Sequence, residues 1–265
     1  MTPTTTGIGP LRIGEPIENG SFLSVLESRG LQPEWKLDSP LTSPLPEATT
    51  VLALTWADGV LMAGDRRATA GNVIAHKRVR KVYPSDEYSA VAISGTAGMA
   101  IELIRLFQTE LEHYEKIEGA RLSLEGKSNY LARMIRGNLA LAFQGLVVIP
   151  LFCGFDEIAQ RGRLFSFDVV GGRYDELNYA TTGSGGAEAK SFLKSEWQAD
   201  LGRDAALALA VEALIAASEE DAATGGPDIR RGIYPSIVTV TTDGVEEVKD
   251  EELEATTAAI IETRP

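Results

Sequence analysis

An abrupt change of composition between residues 48 and 49 constrains this chain more than any other feature. Seven of the twelve prolines lie in residues 1–48. Proline removes a backbone donor and pushes the preceding residue out of helical geometry, so a packed sheet is not expected in this leader. Residues 50–56 then read as a strand. The sequence therefore predicts two parts, a leader at 1–48 and a folded body at 49–265.

Two hydroxyl residues, Thr49 and Thr50, mark this junction. If the chain is cut between Ala48 and Thr49, one residue carries both a nucleophilic hydroxyl and a free α-amine that can accept its proton. An α-amine titrates near pH ~7.7–8.0, so it is partly neutral under ordinary conditions. Such a pair needs no histidine, and the chain has only two, His76 and His113. The leader is either a disordered tail, as its composition allows, or a propeptide that blocks the nucleophile.

The charge balance and the cysteine count limit the partners and the compartment. The net charge is −13, and the leader, with three cationic and six acidic side chains, leaves −10 for the body. A body this acidic is not expected to bind nucleic acid or an anionic membrane surface. A single cysteine, Cys153, excludes an internal disulfide and fits a reducing compartment, so we expect a cytoplasmic protein. No segment reaches the roughly 18 apolar residues of a membrane span, and we find no secretory signal.

Hydrophobic periodicity predicts an α+β fold for the body. Strands are predicted at 50–56, 60–65, 89–94, 147–154, 164–170, 176–181, 237–242 and 245–249. Helices are predicted at 98–116, 127–146, 187–196, 204–218 and 250–262. Residues 68–72 read as a turn. Because hairpins dominate and strands do not alternate singly with helices, the order favours antiparallel sheets with grouped helices over a doubly wound parallel sheet.

Other motifs do not carry the chemistry that they resemble. Residues 125–128 resemble the end of a Walker A loop, but Arg121 stands where that motif needs glycine. His76 and His113 have no cysteine or carboxylate at metal-ligand spacing, so we expect neither a metal nor a cofactor. The basic run from His76 to Lys81 is either a nucleic-acid patch or, in so acidic a body, a solvated loop.

Counted from Thr49, several short motifs fall at informative distances. Asp65 follows Thr49 by 16 residues, and Lys81 follows it by 32. Downstream motifs are Ser94-Gly95-Thr96-Ala97-Gly98, Thr182-Gly183-Ser184-Gly185 and Asp221-Ala222-Ala223-Thr224-Gly225-Gly226. Together with Met62-Ala63-Gly64-Asp65-Arg66-Arg67 and Glu110-Leu111-Glu112-His113-Tyr114-Glu115-Lys116, they resemble the β subunits of 20S proteasomes, in particular those of actinobacteria. The resemblance runs from about Thr49 to the C-terminus.

This resemblance implies a fold, an activity and an assembly. The fold is a four-layer αββα sandwich of two antiparallel sheets flanked by helices, as in N-terminal-nucleophile hydrolases. The activity is that of a threonine-type endopeptidase that degrades unfolded proteins and exposes its nucleophile by removing its own propeptide, residues 1–48. The implied partners are proteasome α subunits, other β subunits in heptameric rings and a ring-shaped ATPase activator.

The resemblance also implies roles for individual catalytic residues. Thr49 is the implied nucleophile, Lys81 the cation beside it, and Asp65 the acid that pairs with Lys81. The backbone N–H of Gly95 is implied to bind the oxyanion, a contact typically worth ~2.7–4 kcal/mol in the transition state. Three polar residues are implied to surround the terminal amine: Ser184, Asp221 and Thr224.

Substrate binding is implied at six further positions. Thr69 is implied to pair with the substrate backbone. The other five are apolar and are implied to line the primary specificity pocket: Ala68, Val79, Ile93, Ala97 and Ile101. Small apolar residues also fill ordinary cores, so the sequence leaves both interpretations open. The pocket is expected to lack a charge that could pair with an arginine or aspartate.

Two positions depart from the family pattern. Ala48 stands where glycine is most common, and its Cβ narrows the tight turn in which the Thr49 hydroxyl must attack the Ala48 carbonyl. Ala222 stands where many relatives have serine.

Two other functions stay open at this level. One is a non-catalytic structural subunit that retains its leader, and the other is a different N-terminal-nucleophile amidohydrolase that acts on small amides.

Overall fold

The structure is a computed structural model that describes residues 49–70 and 73–264. The predicted propeptide, including Ala48 of the predicted cleavage site, lies outside the described residues. The strands are β1 (Thr50–Trp56), β2 (Gly59–Gly64), β3 (Ala68–Ala70), β4 (Val73–His76), β5 (Val82–Asp86), β6 (Ser89–Gly95), β7 (Val148–Asp156), β8 (Arg161–Phe167), β9 (Arg173–Glu176), β10 (Tyr179–Gly183), β11 (Ser236–Thr241) and β12 (Gly244–Glu247). The helices are α1 (Ala97–Glu118), α2 (Leu124–Gly137), α3 (Leu139–Ala142), α4 (Gly186–Glu196), α5 (Arg203–Glu220) and α6 (Asp250–Thr263).

Antiparallel pairing arranges these strands into two five-stranded sheets and one short hairpin. The first sheet has the order β10-β1-β2-β11-β12, the second has the order β5-β6-β7-β8-β9, and β3 pairs with β4. In the first sheet, Thr50 lies opposite Gly183 of β10, and Val51 lies opposite Gly64 of β2. This register places Thr49 beside the ends of both neighbouring strands.

Alternation along the strands separates three buried cores. In β1, Val51 and Ala53 belong to the core between the two sheets. Leu52 and Leu54 point the other way and belong to a core that also contains residues of α4, α5 and α6. Helices α1 and α2 cover the outer face of the second sheet in the same manner. Burying each large aliphatic side chain is worth about 1.5–3 kcal/mol. The resulting helix–sheet–sheet–helix layers confirm the predicted αββα sandwich.

The core between the sheets also contains the cysteine of the chain, Cys153. Its side chain is fully buried, and burial raises the pKa of its thiol far above the ordinary value. A thiol held in the neutral form is a poor nucleophile, so Cys153 has a packing role. No helix in the described part of the chain is long and apolar enough to cross a bilayer.

Most predicted elements agree with the observed ones to within a few residues, but the predicted strand at 176–181 is wrong. This segment contains the end of β9 and the start of β10, which belong to different sheets. Leu177 and Asn178 connect them. A continuous apolar and polar alternation does not reveal a change of sheet, because both strands present the same periodicity of two.

Four other segments also differ from the prediction. Residues 68–70 of the predicted turn at 68–72 form β3, which is stabilised by its pairing with β4. The predicted helix at 127–146 begins earlier and is interrupted after Gly137. Ser123 accepts a hydrogen bond from the backbone N–H of Gly126 at 3.1 Å, which caps α2 at its start. The strands β4 and β5 were not predicted. β4 pairs with β3, and β5 joins the second sheet through β6.

Candidate active site

Thr49 immediately precedes β1 and is held by the turn that follows β10. Its carbonyl accepts a hydrogen bond from the backbone N–H of Ser184 at 3.0 Å. Gly183 has a φ of +101°, and a Cβ added there would lie 1.6 Å from the Thr49 carbonyl oxygen. Glycine at this position therefore allows the two backbones to approach each other closely.

We expect Gly183→Ala to displace Thr49. A left-handed backbone costs a residue with a Cβ roughly 1–2 kcal/mol, and a shift of about 1 Å at a reacting group can reduce the rate by about a hundredfold. Thermal melting and hydrolysis of a fluorogenic peptide measure the two effects. Gly137→Ala is the matched control, because an added Cβ there meets no atom within 4 Å. A Gly183→Ala chain with wild-type turnover would contradict this account of how Thr49 is held.

Asp65 stands directly after β2, and both of its carboxylate oxygens are fully engaged. Oδ1 accepts from the Lys81 ammonium at 2.5 Å and from the Thr50 N–H at 2.9 Å. Oδ2 accepts from the backbone N–H groups of Arg67 at 2.8 Å and Gly225 at 2.9 Å. The Asp65 side chain is completely buried. These contacts hold the carboxylate in one orientation and aim it at Lys81.

The Lys81 ammonium is buried together with this carboxylate. Burial lowers the pKa of Lys81, while the charge of Asp65 and the hydrogen bond to it act in the opposite direction. The charge of Asp221 also acts to raise the pKa of Lys81. An ammonium in this environment stabilises negative charge that develops nearby and favours the neutral form of an adjacent amine.

A second polar cluster surrounds Asp221, which follows the end of α5. Its Oδ2 accepts hydrogen bonds from Ser184 Oγ at 2.5 Å and from Thr224 Oγ1 at 2.6 Å. Its Oδ1 accepts from the Ala223 N–H at 3.1 Å. Burial acts to raise the pKa of Asp221, but the hydrogen bonds from Ser184 and Thr224 outweigh it and lower the pKa. The cluster therefore holds Asp221 in its charged form.

A largely apolar cavity opens beside Thr49, and Lys81 and Gly95 also border it. Gly95 ends β6 with a φ of +110°, and an added Cβ would lie 2.1 Å from the Val147 carbonyl oxygen. All six residues predicted to bind substrate line the same cavity: Ala68, Thr69, Val79, Ile93, Ala97 and Ile101. Residues from five separate segments of the chain thus meet at the candidate nucleophile.

Four residues that the sequence did not single out also line this cavity: Arg80, Tyr83, Ala100 and Ile104. Helical spacing could have identified the last two, because positions 97, 100, 101 and 104 lie on one face of α1. Arg80 corrects the expectation of an uncharged pocket. Its guanidinium donates to Glu247 Oε1 at 2.5 Å and to the Val82 carbonyl at 2.8 Å, so its charge is already paired.

The basic run from His76 to Lys81 does not form a uniform patch. Arg78 donates to the backbone carbonyls of Arg231 at 2.5 Å and Gly232 at 3.3 Å. Lys81 is buried, whereas His76 and Arg78 are exposed. The expectation of a solvated loop is therefore correct only for the first half of the run, and Lys81 belongs to the site.

Comparison with known proteins connects this geometry to one family. A family model described as "Proteasome subunit" matches residues 46–229. "Proteasome subunit beta" of Stackebrandtia nassauensis is 52% identical over 223 residues, which cover 83% of this chain and 80% of that protein. The protein of the same name from Streptomyces griseus is 51% identical over 219 residues, covering 83% of this chain and 78% of that protein. The protein of the same name from Acidimicrobium ferrooxidans is 53% identical over 217 residues, covering 82% of this chain and 80% of that protein.

Proposed function

The chain belongs to the proteasome subunit family as a β subunit of the bacterial type, and we propose that it is a catalytic subunit with Thr49 as its nucleophile. One observation carries the proposal: Thr49, the buried Lys81 and Gly95 border the same apolar cavity. The buried lysine–aspartate pair is costly to maintain, and its position beside the candidate nucleophile supports a chemical role for Lys81.

Maturation is the first reaction that we propose for Thr49. Its hydroxyl attacks the Ala48 carbonyl, the hydroxyl proton passes to the departing nitrogen, and the Ala48–Thr49 amide bond breaks. This leaves an ester to Thr49 Oγ1 and a free α-amine. Water then hydrolyses the ester, which frees residues 1–48 as a propeptide and leaves the hydroxyl and the amine of Thr49 on one residue. The mature subunit is then residues 49–265.

Substrate hydrolysis repeats this chemistry on another chain. The Thr49 hydroxyl attacks the scissile carbonyl, and its proton passes to the α-amine. The Gly95 N–H stabilises the oxyanion of the tetrahedral intermediate. Collapse of this intermediate breaks the peptide bond, and the leaving amine takes up the proton. Water hydrolyses the remaining ester and regenerates Thr49.

Two groups of side chains tune this reaction. Lys81, oriented by Asp65, stabilises the developing charge on the Thr49 oxygen and favours the neutral form of the α-amine. Ser184, Asp221 and Thr224 form the polar environment of the same amine. The Thr49 carbonyl accepts a hydrogen bond from the Ser184 N–H at 3.0 Å, which supports placing these three residues near the amine.

We further propose that the subunit works inside a closed assembly in the cytoplasm. Its partners are other β subunits in heptameric rings, α subunits that cap the chamber, and a ring-shaped ATPase activator that delivers unfolded proteins. Exposed large apolar side chains at turns, among them Ile158 and Leu177, fit burial by neighbouring subunits. A ring also requires two different contact surfaces on each subunit.

Intact-mass spectrometry of the active enzyme tests the proposed function. After co-expression with an α-type partner, we expect a barrel-sized particle whose β chain begins at Thr49. The mass distinguishes the alternatives, because a non-catalytic subunit keeps residues 1–48. Hydrolysis of small amides by a monomer would indicate a different N-terminal-nucleophile hydrolase. A different N-terminus in the active particle would contradict Thr49 as the nucleophile.

The cavity predicts which peptides are cleaved fastest. Ala68, Val79 and Ile93 offer apolar contacts, so a leucine or aromatic side chain gains by leaving water. An arginine would meet the paired charge of Arg80 and find no free carboxylate among the lining residues described. Fluorogenic peptides that differ only at the residue before the scissile bond measure the preference. Fastest cleavage of the arginyl or aspartyl peptide would show that this cavity is not the specificity pocket.

A further inference from the structure

Thr50, the residue after the candidate nucleophile, contacts both polar clusters of the site. Its N–H donates to Asp65 Oδ1 at 2.9 Å, the same oxygen that accepts the Lys81 ammonium at 2.5 Å. On its other side, Thr50 Oγ1 lies 2.6 Å from Thr224 Oγ1. The residue is completely buried. Thr50 therefore links the lysine–aspartate pair to the cluster around Asp221.

The hydrogens of the two hydroxyls can be assigned from their partners. The Asp221 carboxylate can only accept, so Thr224 Oγ1 donates to its Oδ2 at 2.6 Å. A hydroxyl has one hydrogen to donate, so in the contact between the two threonines Thr50 is the donor. Thr50 Oγ1 in turn accepts from the backbone N–H of Gly185 at 2.9 Å. One directed chain thus runs from Gly185 through Thr50 and Thr224 to Asp221.

We propose that Thr50 is a positioning residue that couples the two clusters and thereby fixes the geometry of Thr49. The inference rests on the proposed function, because it concerns how the nucleophile is held. Hydrogen bonds in such a chain strengthen one another in a buried, low-dielectric environment. Since the backbone N–H and the side chain that make these contacts belong to the residue next to Thr49, any shift of Thr50 moves the nucleophile.

Thr50→Val removes only the hydroxyl, because valine keeps the shape of the side chain and the backbone N–H. Gly185 then loses its acceptor. Thr224 loses its donor, so its own bond to Asp221 weakens. The pKa of Asp221 is expected to rise as a result. The cluster that surrounds the α-amine of Thr49 is then held less firmly, and so is the nucleophile.

Two cations interact with Asp221 or with the loop that follows it, and the substitution retains both. Lys81 interacts with the Asp221 carboxylate through its charge. Arg67 donates to the backbone carbonyls of Ala222 at 2.9 Å and Thr224 at 3.0 Å, which holds the loop after Asp221 in place. Because these charges remain, a fall in kcat reports the loss of the Thr50 hydroxyl.

The test compares Thr50→Val, Thr50→Ser and Thr257→Val in the full chain co-expressed with its α partner. Thr257 is a matched control, since it is a buried threonine of α6 whose hydroxyl has no hydrogen-bond partner among the described residues. For Thr50→Val we expect kcat to fall by at least about fivefold with KM within about twofold, because an unsatisfied buried group costs at least ~1 kcal/mol. Thr50→Ser should restore most of kcat, and Thr257→Val should change neither kcat nor KM.

Intact mass measures leader removal in the same preparations, and thermal melting measures folding. If Thr50→Val melts like the wild type but stays uncut while Thr50→Ser is cut, the hydroxyl is needed for the first reaction at Thr49, which supports the proposal. If both variants stay uncut, or if Thr50→Val matches the wild type in cutting and in kcat, the proposal is overturned. A wild-type chain without peptidase activity would overturn both the proposed function and the role of Thr50. An active wild type with an equally active Thr50→Val would overturn the role of Thr50 alone.

Discussion

A Thr49→Ala chain is expected to keep residues 1–48 attached and to hydrolyse peptides at less than about one thousandth of the wild-type rate, as when other enzymes lose their nucleophile. Both losses have one cause, because the same hydroxyl attacks the Ala48 carbonyl during maturation and the substrate carbonyl during turnover. Intact mass measures the first loss, and a fluorogenic leucyl peptide measures the second.

Thr49→Ser is the control for this experiment, since it keeps a hydroxyl at the same place and is expected to be cut and active. Thr49 is buried but belongs to none of the three hydrophobic cores, so the melting temperature of Thr49→Ala should stay close to that of the wild type. A Thr49→Ala chain that loses its leader in the absence of other proteases would show that another group performs the cut. One that retains peptidase activity would remove Thr49 from the mechanism.

Much of the fold could be predicted from local patterns, because each strand alternates between two environments. In β1, Val51 faces the core between the sheets and Leu52 faces the helices, so the strand is apolar on both sides. The hairpins also predicted antiparallel sheets. The assignment of strands to sheets could not be predicted in this way. β9 and β10 are separated by two residues yet lie in different sheets, a choice made by tertiary packing.

The site shows the same division between local and tertiary information. Lys81 ends a basic run that by itself reads as a solvated loop, and only its distance from Thr49 singled it out. Its burial beside Asp65 depends on two strands of different sheets that meet at this point. Thr50 and Arg80 were not identified, because their partners lie far along the sequence. Thr50 contacts Thr224, and Arg80 is bound to Glu247.

Lys81→Met is expected to reduce turnover by about 10²–10⁴-fold, the range typical of losing a group that assists proton transfer. It should also lower the free energy of unfolding by about 3–5 kcal/mol, because Asp65 stays buried without its ammonium partner. Instability could by itself reduce activity, so the two effects have to be separated. The double variant Asp65→Asn/Lys81→Met removes both charges. It is expected to regain part of the stability while it stays inactive.

A second buried ion pair provides the decisive control. Lys127 Nζ lies 2.6 Å from Asp86 Oδ2, and its side chain is almost as buried as that of Lys81, at 5% exposed against 4%. Lys127 lies in α2 and does not line the cavity beside Thr49. Lys127→Met should therefore lower the melting temperature, as Lys81→Met does, and leave turnover near that of the wild type. If the two variants lost activity in proportion to their stability, Lys81 would be a structural residue. If only Lys81→Met and the double variant are inactive in correctly sized particles, the ammonium acts in the chemistry at Thr49.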